Sequence, residues 1–264
     1  MAGKVFVITS GKGGVGKTTT VANIGTGLAM RGKSTVVVDA DIGLRNLDMV
    51  MGLENRVVFN LVDVVEKVCR LRQALIRDKK LDNLFLLPAA QTREKDAVQP
   101  EQMVELCEEL KKDFDYILID SPAGIEHGFK NAIAGADEAI IVTNPELSAV
   151  RDADRIIGLL QAAEFPTPKL IVNRLRPDMI KKGDMMNLDD VNDILAIDLI
   201  GCVPEDETII ISTNRGEPAV FDKNSRAGEA FRNIAGRLDG ENIPFMDLNN
   251  DPGFINKLKR LIGI

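Results

Sequence analysis

Seven short apolar runs punctuate the chain, each bounded by polar or turn-forming residues. They are Val5–Ile8, Thr35–Val38, Asn83–Leu87, Tyr116–Ile119, Ala139–Val142, Leu170–Val172 and Leu199–Val203. Within a run the apolar character is nearly continuous rather than alternating, which predicts strands covered on both faces. Between the runs the period changes. Val21, Ile24, Leu28 and Ala29 share one face of a helix that stops at Gly32. Met103, Leu106, Cys107 and Leu110 do the same behind Pro100, a favoured first-turn residue. Ala227, Ala230, Phe231, Ile234, Ala235 and Leu238 form a third stripe.

Strand and helix alternating in this way predict βαβ crossovers, hence an α/β fold with a mostly parallel sheet and helices on both of its faces. No internal repeat or low-complexity segment interrupts the pattern, so residues 1–248 are expected to form one domain. Asn249–Gly253 then gathers chain breakers, and residues 254–264 stand apart as a short terminal segment.

Of the 264 residues, 45% are hydrophobic and 28% charged, the balance of a folded globular chain rather than a disordered one. A net charge of −7 sets the body against nucleic acid and anionic lipid, so either partner needs a local basic patch. No stretch reaches the roughly 18 apolar residues of a membrane span. Val5–Ile8 is too short for a signal-peptide core, so the chain is expected to be neither integral nor exported. Cys69, Cys107 and Cys202 are far apart in apolar stretches, where a thiol serves as a small buried hydrophobe. His127, the sole histidine, has no metal-ligand spacing around it.

One motif carries the reading from fold to chemistry. Gly11-Lys12-Gly13-Gly14-Val15-Gly16-Lys17-Thr18 fits GxxxxGK[ST] and is followed by Thr19. It lies between the first predicted strand and the first predicted helix. Its glycines let successive backbone N–H groups close around phosphate oxygens. Lys17 then reaches the β- and γ-phosphates, and the Thr18 hydroxyl is placed to ligate Mg2+. ATP with Mg2+ is the implied pair of cofactors.

Ligands of open parallel sheets sit at the carboxyl ends of the strands. Two further predicted strands end there in acids: Asp120, followed by Ser-Pro-Ala-Gly124, and Asp39-Ala-Asp41. A single such acid commonly caps a helix or loop. Three converging on one phosphate site point to metal and water handling, with Thr18, Asp39 and Asp120 as the candidate metal set. Lys12 has no task in an ordinary loop of this kind, where Lys17 supplies the cation, and by itself it reads as a solvated lysine.

Lys12 together with Lys17 resembles the deviant phosphate loop of the MinD/ParA family of ATPases. Asp39–Asp41 and Asp120–Gly124 resemble that family's two switch segments. Asp41–Asp48, Thr143–Glu146 with Ser148, Val150–Arg155, Gly183–Met185 and Val203–Asp206 are similar to segments of its septum-placing branch. The resemblance implies a single-domain P-loop ATPase that forms a homodimer on ATP. It implies a protein of the cytoplasm and of the cytoplasmic face of the cell membrane, regulating division-septum placement by recruiting an inhibitor. It also implies that Lys12 crosses to the other subunit's phosphates, in the manner of an arginine finger. Asp41 would orient or deprotonate the attacking water, and Gly124 would adjoin the nucleotide. Asn173, Arg174, Pro204, Glu205 and Asp206 would form the adenine pocket. Glu146, Ser148, Asp152 and Asp154 would take division regulators of the MinC and MinE kind, although such a charged helix face is often simply solvated.

Placed on a helix, Phe254, Ile255, Leu258, Leu261 and Ile262 share a face about 120° wide. Lys257 and Lys259 flank that face and Arg260 lies opposite. Flanking lysines over an apolar face suit a helix lying in the plane of an anionic membrane surface. A terminal helix docked on the core shows the same pattern. The family's membrane-targeting tail, which this segment resembles, favours the membrane.

A DNA-partitioning relative would want a basic surface, against the net charge of −7. No nucleic acid partner is expected. A flagellar-number regulator would carry an N-terminal extension, whereas Met1–Lys4 leads straight into the first run. An iron–sulfur carrier would pair its cysteines. A non-enzymatic scaffold is the reading if Asp41 does not activate water.

Overall fold

The computed structural model describes residues 3–93, 97–124 and 127–248. The terminal segment 249–264, with every position assigned above to membrane contact, lies outside the described residues.

The strands are β1 (Lys4–Thr9), β2 (Thr35–Asp39), β3 (Ile76–Arg77), β4 (Leu84–Leu87), β5 (Tyr116–Asp120), β6 (Glu138–Thr143), β7 (Lys169–Leu175) and β8 (Leu199–Pro204). They form one sheet in the order β3-β4-β2-β5-β1-β6-β7-β8. Every neighbouring pair is parallel except β3 against β4. All seven apolar runs are therefore strands, and β3 is an addition. It is two residues long, with no run to announce it.

The continuous apolar runs are explained by what covers them. Successive side chains of a strand point to opposite faces. Val5, Val7, Ile117 and Ile119 join one core with Met103 and Leu106 of the helix Pro100–Leu110, and with Val150 and Ala153 of the helix Leu147–Ala162. Phe6, Ile8, Val37 and Leu118 join the other, under Val21, Ile24 and Leu28 of the helix Lys17–Met30 and Phe231 and Ile234 of the helix Arg226–Leu238. Each such fully buried side chain contributes roughly 1.5–3 kcal/mol.

Cys107 and Cys202 are buried as expected, and burial pushes the Cys107 thiol up to about 12. Cys69 departs from the expectation: it is only half-buried, because it lies on a short turn rather than on a sheet-facing stripe.

Beyond Leu238 the chain doubles back along the helix Arg226–Leu238. Arg237 donates from Nε to the Ile243 carbonyl at 2.8 Å and from a terminal nitrogen to the Pro244 carbonyl at 2.8 Å, with its guanidinium 4.3 Å from the Phe245 ring centre. Arg226, at the other end of that helix, donates to the carbonyls of Asp247 and Leu248 at 3.2 and 3.3 Å. Met246 packs on one core and Leu248 on the other, so this strap crosses the open edge of β8.

Candidate active site

β1 stands between β5 and β6, so the loop leaving it opens beside the carboxyl ends of its neighbours. That loop, Ser10 to Gly16, turns sharply through Gly14 and Gly16, whose φ angles are +78° and +98°. At Gly16 a side chain would also meet Asn173 Nδ2 at 2.4 Å. Gly16 is the N-cap of the helix Lys17–Met30, whose first turn carries no acidic residue. An uncapped, acid-free helix N-terminus presents free N–H groups and a positive dipole end to an anion.

Lys17 is buried and donates to Ser10 Oγ at 3.0 Å. Burial lowers its pKa, opposed by the nearby charges of Asp120 and Asp41. The loop is braced from three sides. Ser10 Oγ donates to the Lys12 carbonyl, Gly124 N to the Ser10 carbonyl, and Asn173 Nδ2 to the Val15 carbonyl. At Gly11 a Cβ would fall 2.2 Å from the Asp152 carbonyl oxygen, so the helix Leu147–Ala162 packs directly on the loop.

The register of β2 against β5 pairs Asp39 with Asp120 at the strand ends, and β1 against β5 sets Ile8 beside Asp120. Burial, then the charge of Asp39, raises the Asp120 carboxyl, against a hydrogen bond from Thr18 and the charge of Lys17. Asp39 is raised as well, chiefly by burial, although its oxygens accept from Asp41 N at 3.0 Å and Leu47 N at 3.2 Å. Asp39 thus also does the capping work that a single strand-end acid commonly does. Asp120 Oδ1 is buried with no hydrogen-bond partner among the described residues. Asp39 and Asp120 are two buried acids side by side, and of the pair only Asp120 has the charge of Lys17 beside it, an imbalance that a divalent cation would offset. Mg2+ takes one or two carboxylates with a hydroxyl and leaves the remaining positions to phosphate and water, so the Asp120–Thr18 pair fits it.

Lys12 points elsewhere. Its Nζ lies 3.3 Å from Glu146 Oε2 and 3.4 Å from Ser148 Oγ, at the exposed start of the helix Leu147–Ala162. Of the expected regulator surface, Glu146 and Ser148 therefore meet the phosphate loop through Lys12, and Asp152 meets it through Gly11. Asp154 lies exposed farther along the same helix.

A cavity of about 230 Å³ adjoins the loop. Gly16, Thr19, Asn173, Arg174, Pro204, Glu205 and Asp206 line it, so all five expected adenine-site residues are brought together. A bulge at the end of β7 aims the first two: the register with β8 shifts there and Arg174 has a φ of +59°. Asp206 is tied down. Its carboxylate accepts from Thr208 N at 2.9 Å, Ser225 Oγ at 2.9 Å and Ala227 N at 3.0 Å. Burial works against its charge, but these bonds hold its pKa below the ordinary carboxylate value. Sequence reasoning missed Ile209, Ile210 and Phe231, which supply the cavity's apolar wall.

Residues 3–166 match the family model described as an AAA domain. Over 99% of both chains the sequence is 55% identical to the septum site-determining protein MinD of Bacillus subtilis. The chain belongs to the MinD family. It superposes on MinD in the MinC:MinD cell division protein complex of Aquifex aeolicus with a TM-score of 0.87, at 50% identity over 92% of this chain and 98% of that one. MinD of Pyrococcus horikoshii, solved with Mg-ADP, gives a TM-score of 0.82 at 32% identity, over 90% of this chain and 96% of that one. As a MinD-family protein the chain is an ATPase that regulates placement of the division septum. Among the described residues no helix is long and apolar enough to cross a membrane.

Proposed function

We propose that this ATPase is a switch: ATP joins two copies, the pair sits on the cytoplasmic face of the cell membrane, and hydrolysis separates them. The carrying observation is the division of labour between two lysines of one loop. Lys17 is buried in its own subunit, on Ser10. Lys12 reaches out of the loop to a surface pair with Glu146, which it can exchange for a phosphate across a dimer interface. A cation arriving only in the dimer stabilises charge developing on the phosphoryl group, the logic of an arginine finger.

Gly11–Thr19 and Gly124 hold the phosphates, Asn173, Arg174 and Pro204–Asp206 the adenine, and Asp41 positions the attacking water. Thr18 and Asp120 hold Mg2+, with Asp39 beyond them; when bound, the ion neutralises charge on the phosphates. The Mg-ADP in the Pyrococcus horikoshii MinD supports that pair of cofactors. The MinC:MinD complex of Aquifex aeolicus supports an inhibitor of the MinC kind as partner. Glu146, Ser148, Asp152 and Asp154 receive it, and a stimulator of the MinE kind shares the same face.

Residues 1–248 are the ATPase domain and 249–264 the membrane tail. Five apolar side chains partly immersed give ~4–6 kcal/mol, and three basic residues on anionic lipid add roughly 1 kcal/mol each. Ordering the eleven residues 254–264 costs on the order of 1 kcal/mol each, which offsets about the whole of that gain. One tail is marginal. Two tails on one dimer make the second insertion intramolecular and raise avidity by ~10²–10⁴. Multi-angle light scattering tests the dimer step: twice the ADP-state mass is expected with ATP, and an unchanged mass would overturn it.

A further inference from the structure

A groove of about 680 Å³ runs between the helix Pro100–Leu110 and residues 64–73, and it shares no residue with the nucleotide cavity. Both of its ends are bridged. Gln102 Nε2 donates to the Val65 carbonyl at 3.3 Å, and Arg72 pairs with Asp113 at 3.2 Å. Asp113 precedes β5, whose far end carries Asp120, so the groove runs toward the end of the sheet opposite the phosphate loop. Val68 stands on the rim with 63% of its surface exposed, and Leu71 and Leu106 are buried beneath.

The two walls carry opposite charge. Lys67 and Arg70 are exposed on one, Glu105 and Glu109 on the other, where their spacing puts both glutamates on one face of the helix. Among the described residues none of these four takes part in an ion pair. The turn that bears Lys67 is left-handed there, with a φ of +60°, a conformation that glycine adopts at less cost. The lysine is therefore not present for the sake of the turn. A ligand of one sign, lipid or nucleic acid, is repelled by one wall or the other. A partner with both signs at the matching spacing is not, and another copy of this chain is such a partner.

We propose that this groove is a two-fold contact between copies of the chain. The exposed turn of residues 66–70 is the ridge that fits it. About a two-fold axis the turn of each copy enters the groove of the other, which sets Lys67 and Arg70 against the acidic wall and Val68 over the apolar floor. Such a contact is self-complementary, so each pairing is made twice. Exposed ion pairs contribute little, and the contact is weak, with a dissociation constant above about 100 µM. It needs no nucleotide and stands apart from the proposed ATP dimer. Where both contacts form, two different two-fold faces on each subunit string dimers into open rows. A surface that already gathers the dimers supplies the concentration this weak contact needs.

Sedimentation equilibrium of the full chain with ADP tests this, at up to about 0.5 mM protein and at low salt, where exposed charges are least screened. Wild type is expected to show a monomer–dimer equilibrium. One variant reverses the basic wall, Lys67→Glu with Arg70→Glu, and a second reverses the acidic wall, Glu105→Lys with Glu109→Lys. Each alone should weaken association at least about tenfold, because like charges then face each other. An equimolar mixture of the two should associate as well as wild type or better, since every wall again meets its opposite. That recovery also shows both variants to be folded. A wild type that stays monomeric, reversals that leave association unchanged, or a mixture that stays monomeric would each overturn the proposal. None of these outcomes bears on the ATP dimer, which is read separately from the mass with ATP.

Discussion

Lys12 Nζ lies 3.3 Å from the Glu146 carboxylate, across 134 residues of sequence. That pair ties the mouth of the phosphate loop to the first turn of the helix expected to receive division regulators. Both partners are about half exposed, so the pair is worth little as a stabilising contact. Its weakness suits the proposed exchange of Glu146 for a phosphate.

Lys12→Ala should therefore bind nucleotide about as wild type does, because Lys17, Ser10 and the loop backbone are untouched. Partner-stimulated turnover should fall by roughly 10²–10³, the cost of losing one donor to transition-state charge. Fluorescent-nucleotide titration and phosphate release measure the two; wild-type stimulated turnover would remove Lys12 from the chemistry.

Asp41→Ala should accumulate the ATP-bound dimer, since nothing then positions the water and the γ-phosphate persists. Size-exclusion chromatography with ATP should show a long-lived dimer. A monomeric variant would mean that Asp41 serves assembly instead.

At Gly16 the backbone and the neighbourhood forbid a side chain together. Gly16→Ala places a Cβ 2.4 Å from Asn173 Nδ2 at a φ of +98°, so either the loop or the Asn173–Val15 bond gives way. The left-handed conformation alone costs roughly 1–2 kcal/mol. Nucleotide affinity should fall at least about tenfold. Isothermal titration calorimetry checks this, and unaltered affinity would show that the loop relaxes freely.

Asp206 caps one helix and bonds the start of another, so Asp206→Ala should cost roughly 1–3 kcal/mol in urea unfolding. Its folded pKa is depressed, so the stabilisation is present in full above the unfolded value and is lost as pH falls through the folded one. The gap between wild type and variant should hold from neutral pH down to about 4 and close below it. A gap independent of pH would show that the loss is packing rather than charge.

The fold was legible because runs such as Val36–Val38 and Ile117–Ile119 are apolar at every position, which only a doubly covered strand requires. β3 was hidden, since two residues, one of them the exposed Arg77, carry no period. At the site, the loop glycines and strand-end acids declare themselves locally. The Lys12–Glu146 pair and the bonds from Ser225 and Ala227 to Asp206 join segments with no sequence pattern in common. Ile209 and Ile210 sit on the helix Glu207–Arg215, which has no buried residue, so no stripe marks them as a cavity wall.

Co-sedimentation with anionic vesicles in ATP, in ADP and without nucleotide tests the switch most directly. The full chain should pellet with ATP, remain mostly in the supernatant in the other two states, and lose the ATP-dependent fraction in Leu261→Glu, which sets a carboxylate in the apolar face. Equal pelleting in all three states, or full ATP-dependent pelleting of Leu261→Glu, would contradict a membrane switch driven by nucleotide through the terminal segment.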